Sequence, residues 1–246
     1  MQYESFTDSG SRPINEDCHG TAMNGTSSCF VLADGLGGHG GGNVASQCAV
    51  DVVCQLFAEQ GYSDHFFEDA FREAQAVVLE KQREAHARSQ MKTTMVILVL
   101  HEGKSFYAHV GDSRMYLFRN GKFKLRTIDH SVPQMLVLQG QIKECEIRHH
   151  PDRNKLMRVI GIKDDPPRYE VGKPVKNSGR QAFLLCTDGY WELIDEATMS
   201  ELLRKSETPE QWIAQMNDVI RQNGKDTDMD NFTAIAVFEK TKGLFS

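Results

Sequence analysis

Four aspartates stand where apolar runs of this sequence stop or start: Asp34 after Phe30-Val-Leu-Ala33, Asp112 after Gly111, Asp188 after Ala182-Phe-Leu-Leu-Cys-Thr187, and Asp230 just before Phe232. Glu16 and Asp17, in Asn15-Glu16-Asp17, add two more acids. A lone Asp-Gly at a strand end is ordinary turn chemistry. Here Asp34-Gly35 and Asp188-Gly189 repeat one device, and acids gathered at one sheet edge repel each other unless positive charge lies between them. Carboxylate oxygens suit hard Mg²⁺ or Mn²⁺, whereas zinc asks for His and Cys. Two such cations sharing one aspartate would lower the pKa of a water and clamp a phosphoryl oxygen in line for attack, without a protein nucleophile. Arg12, in Gly10-Ser-Arg-Pro-Ile-Asn-Glu-Asp17, brings a planar fork for the remaining phosphate oxygens.

The elements that must position these groups are legible as apolar runs. Strands are expected at Ser28 to Asp34, Thr93 to Leu100, Ser105 to Gly111 running on into Arg114 to Phe118, Gln181 to Thr187, and Phe232 to Phe238. Asn120-Gly121 marks a tight turn that pairs Met115 to Phe118 with Lys122 to Leu125 antiparallel. Helical spacing of Ala45, Cys48, Ala49, Val52, Val53 and Leu56, and again of Phe67, Ala70, Phe71, Ala74, Val77 and Val78, predicts two amphipathic helices between the first two strands. A third spans Glu196 to Lys205, and a fourth follows Pro209 with Trp212, Ile213, Met216, Val219 and Ile220 inward. Strands in the middle and helix pairs toward either end make an α+β fold, antiparallel sheet covered by helices. The polar region from 131 to 174 carries one helix-like stretch, Val132 to Leu138.

Bulk properties narrow the function. The 246 residues, undivided by any linker, are expected to form one domain (1–246). A net charge of −6 gives no field for a nucleic-acid backbone. No apolar run reaches membrane-spanning length and the first residues lack a signal-peptide layout, so the protein is expected in the cytoplasm, away from membranes, as a monomer. The six cysteines form no C-x-x-C pair. A cysteine nucleophile for phosphate esters would need an arginine six positions on, where Asn24, Gly35, Cys54, Gln60, Pro151 and Glu192 stand instead.

The motifs together resemble the metal-dependent protein phosphatases, the type 2C Ser/Thr phosphatases, in their bacterial form. The resemblance runs through Gly10-x-Arg12-x-x-Asn15-Glu16-Asp17, Ala33-Asp34-Gly35-Leu36-Gly37-Gly38-His39, Val110-Gly111-Asp112-Ser113-Arg114-x-Tyr116, Asp129-His130-Ser131, His150-Pro151-x-Arg153-Asn154-x-Leu156, Thr187-Asp188-Gly189-Tyr190-Trp191 and Asp230-Asn231-x-Thr233. It implies a four-layer αββα sandwich of two antiparallel sheets flanked by helix pairs, with a flap around 131–174. It further implies two, or three, Mn²⁺ or Mg²⁺ ions: Asp34 bridging, the Gly35 carbonyl on one ion, Asp188 and Asp230 on the other, Glu16 and Asp17 holding water, Asp112 with Asp188 at a third position, and Arg12 on the phosphate. The implied partners are phosphorylated proteins and a cognate Ser/Thr kinase. The chain departs from the family pattern at Lys92, where a glycine is usual and a lysine would either add charge near the site or cover its edge. It departs again at Leu36, where animal enzymes carry histidine, and at Glu192, one carbon longer than the usual aspartate. His39 and the pair His149-His150 are expected as hydrogen-bonding and turn residues rather than ligands.

Three other readings compete. Gly35-Leu-Gly-Gly-His-Gly40 satisfies a dinucleotide fingerprint, but Asp34 would then lie against the pyrophosphate at a helix N-terminus, and the interval to Glu59 reads as helix rather than a second strand. Asp17-Cys-His19-Gly20 and Gly111-Asp112 imitate two signatures of the mixed His/Asp two-metal phosphoesterases, whose third, Gly-Asn-His-Asp/Glu, is missing. A non-catalytic binding module of the same fold would have lost the acids that this chain retains.

Overall fold

The computed structural model describes residues 1–37, 41–86, 90–163 and 167–240. In chain order these form β1 (Gln2–Asp8), β2 (Asp17–Asn24), β3 (Ser27–Leu36), α1 (Gly42–Gln60), α2 (Phe66–Glu84), β4 (Lys92–Thr93), β5 (Met95–His101), β6 (Lys104–Val110), β7 (Arg114–Arg119), β8 (Lys122–Arg126) and α3 (Val132–Leu138). A 3₁₀ turn at Glu144–His149 follows, then β9 (Glu170–Val171), β10 (Val175–Lys176), β11 (Arg180–Cys186), α4 (Asp188–Trp191), α5 (Glu196–Lys205), α6 (Pro209–Asn223) and β12 (Phe232–Lys240).

The strands make two antiparallel sheets. One runs β1-β12-β11-β7-β8; the other runs β10-β6-β5-β3-β2, with β4 added to β3 and β9 to β6. Side chains alternate across a strand, and that alternation builds the layers. Phe30 and Leu32 of β3 meet Met115 and Leu117 of β7, Phe183 and Leu185 of β11, and Ile235 and Val237 of β12 between the sheets. Cys29, Val31 and Ala33 point the other way, into a core shared with Ala49, Val53 and Phe57 of α1 and Phe71 and Val78 of α2. Leu184, Cys186, Ala234 and Ala236 likewise face Met199 of α5 and Trp212, Met216 and Ile220 of α6. The result is the expected four-layer α+β sandwich.

Several elements differ from the sequence reading. The run from Ser105 into Phe118 is not one strand: β6 belongs to one sheet and β7 to the other, and the chain crosses between them at Gly111-Asp112-Ser113. Gly111 makes that corner with φ +95°, and a Cβ there would lie 2.6 Å from Thr94 Cγ2. The strand carrying Asp34 continues to Leu36 and takes β4 as a partner, so Asp34 sits inside a strand rather than at its end. Strands β1 and β2 escaped notice because both are largely polar and lie at sheet edges. The Asn120-Gly121 turn is as expected, with both φ angles positive. His39 lies outside the described residues.

Phe30 is fully buried between the sheets, so Phe30→Ala is expected to lower unfolding stability by about 3–5 kcal/mol in a urea titration. A loss below about 1 kcal/mol would contradict the intersheet packing.

Candidate active site

The inward row of side chains is apolar through the middle of the sandwich and turns polar at one end. Along β3 the row Phe30, Leu32 ends in Asp34; along β11 Phe183 and Leu185 lead to Thr187; on β12 Val237 and Ile235 lead to Thr233. Asp17 of β2 is the direct cross-strand partner of Asp34, which puts both carboxylates on one face. A cavity of about 370 Å³ opens there, walled by Arg12, Glu16, Asp34, Gly35, Asp112, Asp188 and Asp230. Asp17 stands behind that wall, where Thr187 Oγ1 donates to its Oδ2 at 3.0 Å.

Gly35 explains the glycines of the Asp-Gly-Leu-Gly stretch. A Cβ on it would come within 2.3 Å of the Gly42 carbonyl carbon and oxygen and 2.6 Å of the Glu16 carbonyl oxygen. Glycine is thus needed for β3 to touch the start of α1. Glu16 closes the corner: its Oε1 accepts from Gly42 N at 3.2 Å, and its backbone N donates to Asn231 Oδ1 at 2.8 Å. A carboxylate at a helix N-terminus gains from the helix dipole.

Asp34 is fixed by its backbone, whose N–H donates to Thr94 Oγ1 at 3.0 Å and whose carbonyl accepts from Thr94 N at 2.9 Å and Thr93 Oγ1 at 2.8 Å. Thr94 Oγ1 also bonds Ser113 Oγ at 2.7 Å, linking the β3–β5 corner to the Asp112 loop. Trp191 Nε1 donates to the Asp112 carbonyl at 3.0 Å. The Arg114 guanidinium lies 3.4 Å above the Trp191 ring and forms a buried two-bond pair with Asp129 at 2.9 and 2.6 Å. These partners hold Asp112 and the helix of Asp188 in register.

The carboxylates are in one another's fields. Burial, then Asp188 and Asp17, hold Asp34 well above the usual carboxylate range. Burial and Asp230 push Asp188 up to about 6, against a hydrogen bond with Asp34 that lowers it. Burial also pushes Asp17 up to about 7, and its Oδ1 is buried with no partner. Asp112 is raised by burial and by Asp188, and Glu192 by the same two causes to about 7. Arg12 supplies positive charge at the rim: its Nε donates to Asp230 Oδ1 at 3.1 Å and an Nη to Asp228 at 2.9 Å. Glu192 pairs with Arg153 at 2.8 Å. Carboxyls held above their usual range mark negative charge that hard cations would compensate. Oxygen donors, raised pKa values and an orphaned Asp17 Oδ1 all fit Mg²⁺ or Mn²⁺.

Among the described residues one other group of ligand-type side chains converges, His109, His130 and Glu170, with facing atoms within 4.8 Å. Gly111 N donates to His130 Nδ1 at 3.2 Å, which leaves the ring proton on Nε2, and the two imidazoles lie 5° from parallel. His130 thus turns an N–H rather than a lone pair toward the other two. His150 Nδ1 accepts from Asp152 N at 3.1 Å, a turn contact, and His149 lines a neighbouring hollow with Arg153 and Glu192. Sequence reasoning gave no role to Thr94, Ser113 and Thr187, whose hydroxyls brace the acids; Ser113 and Thr187 stand directly beside Asp112 and Asp188 in the sequence, whereas Thr94 is 60 residues from the Asp34 it holds.

A family model for protein phosphatase 2C matches residues 10–233. The chain belongs to the protein phosphatase 2C family. It is a metal-dependent protein-serine/threonine phosphatase of the bacterial type, as its motifs implied. The serine/threonine phosphatase stp of Listeria innocua is 32% identical over 217 residues, covering 85% of each chain. Protein phosphatase PhpP of Streptococcus pneumoniae is 31% identical over 82% of this chain and 84% of its own. In structure, the serine/threonine phosphatase Stp1 of Staphylococcus aureus superposes with a TM-score of 0.84 at 30% identity, covering 98% of this phosphatase and 95% of Stp1.

The raised pKa values give a signed expectation for the phosphatase in EDTA. A carboxylate whose folded pKa lies above its unfolded value binds more protons when folded, so its contribution to stability is full below pH about 4 and is lost as pH rises through the folded pKa. With Asp188 raised to about 6, the stability of the wild type in EDTA, relative to Asp188→Asn, is expected to fall between pH 4 and pH 7. Thermal melts of both proteins across that range check it; parallel curves would contradict the crowding.

Proposed function

We propose that residues 1–246 act as one catalytic domain in which the acid cavity holds two divalent cations, Mn²⁺ or Mg²⁺, and hydrolyses phosphoserine and phosphothreonine of protein substrates. The observation that supports this most is the convergence of Asp34, Asp188 and Asp230 on one cavity, with Asp17 behind them, where burial and neighbouring charge hold the Asp34, Asp188 and Asp17 carboxyls above the usual carboxylate range. Asp34 and the Gly35 carbonyl would hold the cations on the β3 side, and Asp188 and Asp230 on the β11–β12 side. Glu16 and Asp17 would hold water, and Asp112 with Asp188 would form a third, weaker position. When bound, the cations supply Lewis-acid activation of water and neutralise the charge of the phosphate.

The chain's own residues then bind and orient. Arg12 is half-exposed at the cavity mouth and tied to Asp230; once cations take over that carboxylate, its fork is free to hold the non-bridging phosphate oxygens. The hydroxyls of Thr94 and Thr187 keep Asp34 and Asp17 oriented through each turnover. Leu36 offers no proton beside the Asp-Gly pair, so protonation of the departing serine or threonine oxygen comes from water or another acid. The segment 131–174 supplies Asn154 and Leu156 to the cavity wall and acts as a flap that shapes protein docking. The expected setting is opposition to a bacterial Ser/Thr kinase.

Purified enzyme is expected to hydrolyse para-nitrophenyl phosphate only with Mn²⁺ or Mg²⁺ and to fall silent in EDTA. Asp34→Asn and Asp188→Asn should fold, by circular dichroism, yet lose turnover, and metal-independent activity or full activity in Asp34→Asn would overturn the centre. Arg12→Ala is expected to raise KM by about 10-fold or more, the worth of one charge-assisted hydrogen bond. His19→Ala should keep its activity; its collapse would favour the His/Asp phosphoesterase reading.

A further inference from the structure

Lys92 occupies a position where the family pattern expects glycine, and its surroundings say what the substitution does. It is the antiparallel partner of Leu36, two residues beyond Asp34 on β3. From the acid cavity, Leu36, Gly37, Asn154 and Leu156 continue as shared walls into a second hollow of about 300 Å³, floored by Met157, Val159 and Ile162. That hollow shares Lys92 and Ile162 with a third, of about 640 Å³, bounded by Ala76, Leu79, Arg83, Gly161 and Lys163. The three form one groove from the catalytic acids across an apolar saddle to a cationic end.

The charge along this groove is not random. Its far end carries Arg83, Lys92 and Lys163 and, among the described residues, no acid in its walls, in a chain of net charge −6. None of these three makes an ion pair among the described residues, whereas Arg12, Lys81, Arg114, Arg126, Arg148 and Arg153 all do. Arg83 and Lys163 are exposed and Lys92 half-buried. The groove thus offers unspent positive charge, next to apolar side chains such as Met157, 51% exposed.

We propose that this groove binds the polypeptide flanking the phosphorylated residue, and that the enzyme favours phosphoproteins with acidic residues a short way from the phosphate. The inference rests on the phosphatase reading of the acid cavity. Distance sets the spacing. Two residues along β3 and one strand across place the Lys92 backbone about 8 Å from that of Asp34, and Arg83 and Lys163 lie beyond it in the outer hollow, so an extended peptide rising about 3.3 Å per residue meets these side chains roughly three to five residues from its phosphate. Leu36, Leu156 and Met157 take the intervening apolar side chains. Lys92 is then a specificity residue that reads charge at a distance from the reacting phosphate.

The test compares three phosphothreonine peptides on the Mn²⁺-loaded full chain: one with neutral flanks, one with two acidic residues three to five positions N-terminal to the phosphate, and one with them C-terminal. At low salt one acidic peptide is expected to show kcat/KM about 10-fold above the neutral one, mainly through KM, as two or three partly exposed ion pairs allow. Salt should shrink the advantage. Arg83→Ser/Lys163→Ser and Lys92→Met should each reduce it while para-nitrophenyl phosphate turnover stays at the wild-type level. Equal kcat/KM for all three peptides, or a preference that survives in both variants, would overturn the groove and leave the metal centre standing. Failure of the wild type to hydrolyse para-nitrophenyl phosphate with Mn²⁺ would instead overturn the centre, and the groove with it.

Discussion

Carboxylate crowding is the constraint on which the architecture turns. Burial raises the pKa of Asp34, Asp188, Asp112 and Asp17, and the charge of neighbouring carboxylates raises each further. Divalent cations would remove the repulsion and keep the acids ionised. A fold that binds metal in this way is stabilised by mass action as the ions fill the site.

Holding such a cluster requires a rigid frame, and the sandwich provides one by ending its apolar layer abruptly. Phe30, Leu32, Phe183 and Ile235 are fully buried between the sheets. One step further along the same rows stand Asp34, Thr187 and Thr233. The acids are therefore positioned by strands whose other residues are locked in the core, which gives the precision that catalytic groups need. The crossing from β6 to β7 carries Asp112 between the sheets, and Arg114 and Trp191 brace that crossing from beneath. Arg114 is itself buried, and its bidentate pair with Asp129 makes that burial tolerable.

The groove leading away from this cluster inverts its charge. One end holds carboxylates; the other holds, among the described residues, basic side chains and no acid. A phosphopeptide with an acidic flank is complementary to both ends, since its phosphate would meet the acids with the cations they hold and its side chains Arg83, Lys92 and Lys163. Lys92, left open between two roles by the sequence, belongs to this outer end.

Much was legible in the linear chain because the information was local. Continuous apolar runs marked the central strands and helical apolar spacing the four long helices, Asn120-Gly121 marked its hairpin, and the acids stood out as the polar ends of apolar runs. Strands β1 and β2 were hidden because an edge strand that is half-exposed needs no apolar pattern; it is held by backbone bonds to β12 and β3. The break between β6 and β7 was hidden because an apolar strand reads the same whichever sheet it joins. Residue types and spacing settled which side chains are available and that hard cations suit them. Which carboxylates share a field, that Gly35 serves contact with α1 rather than a phosphate, and where Lys92 points its charge all depend on distances between segments far apart in the chain, and such distances exist only once the two sheets have packed.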